Sequence, residues 1–203
     1  LLDNSDRIEL NAARPSDRMT AFIWACDKGH KDVVKLLLDH SDRIDLNARN
    51  RCGSTAFWWA CCNGHKDVVQ LLLHHSQRIE LNARNNGGLT ASMYACLNGQ
   101  KDVVQLLLDH SDRIELNARC GSGITAFMLA CSNGYKYVVQ LLLDHSERIE
   151  LNARDDNGDT AFMDACKKGH KDVVQLLLEH LDQNIALNAR SSAEWTSFML
   201  EKI

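Results

Sequence analysis

The 203 residues carry 23 Lys and Arg against 27 Asp and Glu, a formal charge of −4 spread through the chain, so no basic stripe marks a nucleic-acid partner. No apolar run approaches the roughly 18 residues of a membrane span, and Leu1-Leu2-Asp3 lacks signal-peptide character. A soluble chain is expected, without nucleic acid or membrane as partner.

The chain opens inside a unit that it goes on to repeat. Residues 1–11 match the tail of later copies, so residues 1–19 read as an N-terminal partial repeat or cap. Its turn, from Ala12 through Arg14-Pro15-Ser16-Asp17 to Met19, is one residue longer than its counterparts and holds the only proline. It also puts Arg18 where Gly53, Gly88, Gly123 and Gly158 stand later. Five units follow, 20–54, 55–89, 90–124, 125–159 and 160–195, opened by Thr20, Thr55, Thr90, Thr125 and Thr160, and residues 196–203 begin another. A constant step of 35 residues is the mark of a stacked array in which neighbours bury one another's apolar faces. Residues 1–203 are therefore expected to form one elongated domain, monomeric when free.

Each unit predicts two helices. Threonine caps the first through its hydroxyl, and an Asn-Gly or Lys-Gly pair such as Asn63-Gly64 stops it about ten residues on. The second begins Lys-Asp-Val-Val: Asp67 suits the helix dipole, and Val69, Leu72 and Leu73 form an apolar stripe. The following Ser-Asp-Arg-Ile-Glu-Leu-Asn-Ala-Arg alternates apolar and charged residues and predicts an extended connection ending in a protruding turn. The last unit deviates, with one extra residue at 181–186 and Glu194 in place of the turn glycine.

Gly64-His65, Val68-Val69, Leu71-Leu72-Leu73, Asn82-Ala83 and Gly88-Leu89-Thr90, echoed in the other units, resemble the ankyrin repeat over essentially the whole chain. The resemblance implies an all-α solenoid of stacked helix-turn-helix units with protruding turns. It also implies a concave face of first helices and turns that binds other proteins. The period is 35 instead of about 33, Thr-Ala-Phe-Met replaces Thr-Pro-Leu-His, and Ser-Asp-Arg-Ile-Glu-Leu replaces Gly-Ala-Asp-Val. These departures concern loop geometry.

Differences between units concentrate at few positions. In the first helix they are Trp24, Trp59, Tyr94, Leu129 and Asp164, and three residues on Asp27, Cys62, Leu97, Ser132 and Lys167. At about 100° per residue all of these lie roughly opposite the constant Phe57, Ala60 and Cys61, so the varied residues are expected to face outward. In the turns the varied residues are Met19, Arg51, Ser54, Asn86, Leu89, Ser122, Ile124 and Asp159. Together these form the expected protein-binding face, with an apolar centre and a charged rim. The second helix barely changes: residues 101–119 differ from 31–49 only at Gln105 for Lys35 and Glu115 for Asp45. A held framework with one varied face fits an engineered or selected binder of one protein target. A natural adaptor domain of a longer protein, or a consensus scaffold without a target, are the alternatives.

A few framework positions also change. Trp58 stands where Met93, Met128 and Met163 recur; Gln100, Tyr135 and Tyr137 replace histidine and aspartate; Ser92 replaces a buried phenylalanine and is expected to loosen the third unit. Chemistry is not expected. Cys26, Cys61, Cys96, Cys131 and Cys166 share one repeat position, read as small buried residues that stay reduced, compatible with the cytoplasm. Cys52, Cys62 and Cys120 fall in varied positions and are candidates for exposed thiols, with no base visible beside them. The nine histidines sit at helix ends without metal-ligand spacing, and no glycine-rich phosphate cradle appears, so neither a metal, a cofactor nor an enzyme is expected.

Overall fold

Thr20, Thr55, Thr90, Thr125 and Thr160 all have extended backbone, and each hydroxyl accepts the N–H three residues on, capping a seven-residue helix. The computed structural model describes residues 9–180, which form five helix pairs. They are α1 (Ala21–Asp27) and α2 (Lys31–Asp39), α3 (Ala56–Cys62) and α4 (Lys66–His74), α5 (Ala91–Leu97) and α6 (Lys101–Asp109), α7 (Ala126–Ser132) and α8 (Lys136–Leu143), α9 (Ala161–Lys167) and α10 (Lys171–Glu179). First helices pack on neighbouring first helices, and second helices on neighbouring second helices, so the array has two layers. The irregularities expected at 181–186, at Glu194 and after Thr196 lie outside the described residues, as do residues 1–8.

Small residues let the first helices approach. Ala60 and Cys61 are fully buried in α3, and the equivalent Cys26, Cys96 and Cys131 are at most 2% exposed, while Cys166 is partly exposed. All are free thiols, and burial raises them out of the reactive range, Cys96 to about 12. Gly29 ends α1 with φ +70°, and a Cβ there would stand 2.5 Å from Nδ1 of His65 in the next unit. Glycine is required twice over, by backbone conformation and by space.

That neighbouring side chain ties the units together. His65 Nε2 donates to the Asp27 carbonyl at 2.7 Å, and His170 Nε2 to the Ser132 carbonyl at 2.9 Å. Gln100 makes the same bridge with its amide, to the Cys62 carbonyl at 3.0 Å. The histidines at the other helix end cap it: Nδ1 of His75, His110, His145 and His180 donates to the carbonyl four residues back.

The connection after α2, α4, α6 and α8 is a run of turns, including a 3-10 turn at Ser146–Arg148, where an extended segment is expected. The helix-end carbonyls are taken by N–H groups three residues on, Ser76 to Leu73 at 3.2 Å and Arg78 to His75 at 3.0 Å, which coils the chain. Alternation still sorts the side chains: Ile79 and Leu81 are buried, Arg78 and Glu80 exposed. The constant Asn-Ala-Arg then has a reason. Asn82 Nδ2 donates to the Arg113 carbonyl and its Oδ1 accepts from Glu115 N, both at 2.9 Å, a rung repeated by Asn47 and Asn117. Arg49 and Arg119 each add a bond to a carbonyl 35 residues on, at 2.8 Å.

Candidate protein-binding face

Trp24, Trp59, Tyr94, Leu129 and Asp164 hold one helix position in five successive units, and every one of them is half-buried. Their neighbours on either side along each helix turn inward, so this position alone presents a continuous line of side chains. Trp24 is flanked by the Arg14 guanidinium, 4.9 Å from the ring centroid, and the Lys28 ammonium at 5.3 Å. Trp58, 6% exposed, meets Trp59 edge-on at 5.1 Å and reaches Tyr94 of the next unit at 4.2 Å. Trp58 thus joins Trp59 and Tyr94 in a three-ring cluster at the middle of the line. It leaves the indole N–H groups of both Trp58 and Trp59 buried without an acceptor, each a cost of about 1–3 kcal/mol. Ser92, also buried, satisfies its hydroxyl against Thr90 Oγ1 at 2.9 Å.

Several residues expected to face outward are buried. Asp27 is 9% exposed because the next unit covers it: Asn63 Nδ2 donates to its carboxylate at 2.9 Å, and Lys28 pairs with it at 2.9 Å. Cys62, 8% exposed, is covered in the same way by Asn98, whose amide reaches its sulfur at 3.3 Å, so it is no exposed thiol. Helix rotation places these residues opposite the core of their own unit, but the stack puts another unit there. Leu97 and Ser132 at the same position are half-buried, and Lys167 is exposed.

The turns divide likewise. Arg51, Asn86 and Ser122 are exposed, Leu89 and Ile124 half-buried. Met19, Ser54 and Asp159 are buried. Ser54 and Asp159 close their turns, their N–H groups held by Asn50 Oδ1 at 2.9 Å and Asp155 Oδ1 at 2.8 Å; Met19 is covered by Asn50, whose amide lies 3.7 Å from its sulfur. Successive turns are linked through backbone: Arg51 N to Asp17 O at 2.7 Å, Asn86 N to Cys52 O at 2.9 Å, Asp156 N to Ser122 O at 3.1 Å. Cys52 is exposed and Cys120 partly so.

Charge differs along the face. At one end Arg14, Arg18, Lys28 and Arg51 are exposed; at the other Asp159, Asp164 and Lys167 meet. Burial, then the charges of Asp159 and Asp155, raise the Asp164 carboxyl above the usual carboxylate range, while Lys167, 3.7 Å from Asp159, opposes the shift.

Sequence comparison of units singled out Tyr135 and Tyr137 as substitutions but not as surface. They are exposed, and so are Val33 and Leu36 of α2; the equivalents of Val33 in the next two units, Val68 and Val103, are buried, and those of Leu36, Leu71 and Leu106, are half-buried. Among the described residues no group of three or more His, Cys, Asp or Glu is placed to hold a metal ion, and no helix is long and apolar enough to cross a membrane.

A stack of short capped helix pairs, tied by side-chain rungs and varied along one line, defines a repeat scaffold of the kind used for protein interaction. The chain belongs to the ankyrin-repeat family: the family model for ankyrin repeats matches it three times, at residues 1–85, 42–120 and 93–190. Ankyrin repeats are generally protein-interaction modules and a typical non-enzymatic scaffold. Comparison with curated proteins finds no match.

Proposed function

We propose that the chain is a non-enzymatic binding module that holds one protein target on the line Trp24, Trp59, Tyr94, Leu129 with the adjoining turn residues Arg51, Asn86, Leu89, Ser122 and Ile124. The observation that carries this is the three-ring cluster. Trp58 and Trp59 keep two indole N–H groups dry and unpaired, a cost that stability does not explain, and hold Trp59 and Tyr94 in place on the line. Rigid aromatic anchors lose little entropy on binding and dominate interface energetics. The stack supports this by pre-organising the face through rungs that involve only framework residues.

A held framework with one varied line is what selection for a target produces, whether on a designed scaffold or on a duplicated natural array. The first origin accounts better for second helices that barely differ. Repeat boundaries at 20, 55, 90, 125 and 160, each opened by a capping threonine, make a unit the natural module of such a binder.

The test is affinity capture with this chain, identification of the retained protein by mass spectrometry, then titration against the Trp59→Ala and Tyr94→Ala variants. Each is expected to weaken binding by at least about 2 kcal/mol. Unchanged affinity in both removes the reading.

A further inference from the structure

Away from the varied line the second helices start on one plan, Lys followed by Asp, at Lys31-Asp32, Lys66-Asp67, Lys101-Asp102 and Lys171-Asp172. The aspartate suits the positive end of the helix dipole, and Asp67 pairs with the lysine one unit back, Lys31, at 3.6 Å. The fourth unit breaks the plan with Tyr135-Lys136-Tyr137. Tyr137 stands in the geometric place of Asp67, so the Lys101 ammonium lies 5.4 Å from a ring centroid instead of against a carboxylate. Tyr137 is 72% exposed, the most exposed large apolar side chain among the described residues, and Tyr135, 37% exposed, lies against Gly99.

We infer that the start of α8 is a second interaction surface, which takes an acidic segment of a partner protein bearing large apolar side chains. Three features of the site select that chemistry. Two exposed phenol rings, two residues apart, offer apolar area that water disfavours and hydroxyls that bond at its rim. Lys101 presents an exposed ammonium with no carboxylate at position 137 to meet it, only the adjacent Asp102 of its own helix, whereas exposed Lys136 has Asp172 one unit on, in the position that Asp67 holds toward Lys31. The N-terminus of α8 lacks the first-turn acid that α2, α4, α6 and α10 carry. A glutamate or aspartate from the partner restores what the substitution removed, while its apolar neighbour covers the rings. The surface does not depend on the line of Trp59 and Tyr94.

The test is fluorescence anisotropy of a labelled Glu-Phe-Glu-Leu-Glu-Phe peptide at low salt, beside the same peptide with Lys for Glu. The acidic peptide binds the parent chain, and binding falls as salt rises. Tyr137→Asp, which reinstates the array's own residue and so keeps the fold, weakens it roughly tenfold or more. Trp59→Ala and Tyr94→Ala leave it unchanged, which separates this surface from the proposed binding line. No binding to the parent, equal binding of the Lys peptide, full retention in Tyr137→Asp, or loss in the Trp59 and Tyr94 variants would each overturn the assignment.

Discussion

The fourth turn contains a replaceable defect. In three turns the first residue is Asn or Asp, and one oxygen holds two backbone N–H groups: Asn50 takes Cys52 and Ser54 at 3.0 and 2.9 Å, Asn85 takes Gly87 and Leu89 at 3.0 Å each, Asp155 takes Asn157 and Asp159 at 2.9 and 2.8 Å. Cys120 occupies that place in the fourth turn and has no oxygen to offer, although the backbone closes in the same way, with Gly123 N donating to Cys120 O and Cys120 N to Ile124 O at 3.0 Å. Cys120→Asn therefore installs two bonds on an existing frame. At about 0.5–1.5 kcal/mol net each, less for the one at exposed Ser122, the gain is about 1–2 kcal/mol. For a chain of this size that raises the melting temperature by about 3–6 °C. Calorimetry measures the shift, and slower amide exchange at Ile124 locates it. The reciprocal Asn85→Cys loses a similar amount. A Cys120→Asn chain that melts with or below the parent, with unaltered exchange at Ile124, refutes the reasoning.

Arg18 has φ +60°, among turn glycines at +74° to +81° elsewhere. That conformation costs an L-residue about 1–2 kcal/mol, partly offset in a glycine variant by unfolded-state entropy, so Arg18→Gly is expected to stabilise by about 0.5–1 kcal/mol in urea titration. Asp164, with its carboxyl raised by burial and by Asp159 and Asp155, favours the folded state only when protonated. Its contribution is present below the ordinary carboxylate range and is lost as pH rises through its raised value. Asp164→Asn should therefore be more stable than the parent at neutral pH, with the difference vanishing on acidification; a pH-independent difference would contradict this.

Much of the array was legible in the residues alone. The 35-residue step, the threonine caps, the glycine stops and the apolar stripe of the second helix are local signals, written in neighbouring residues and repeated often enough to be unambiguous. The half-buried line of Trp24, Trp59, Tyr94 and Leu129 was legible too, because comparing units separates what packing holds constant from what it leaves free. What the sequence could not reveal was which varied residues the next unit covers. Asp27 and Cys62 point away from their own core, yet Asn63 and Asn98, 36 residues on, close over them. The connection after α2, α4, α6 and α8 coils instead of extending, because helix-end carbonyls find donors three residues later. The exposure of Tyr137 follows from its place beside Lys101, again one unit away. Helical periodicity describes one unit facing its own core, whereas burial at the edges of that unit is decided by the neighbour stacked against it.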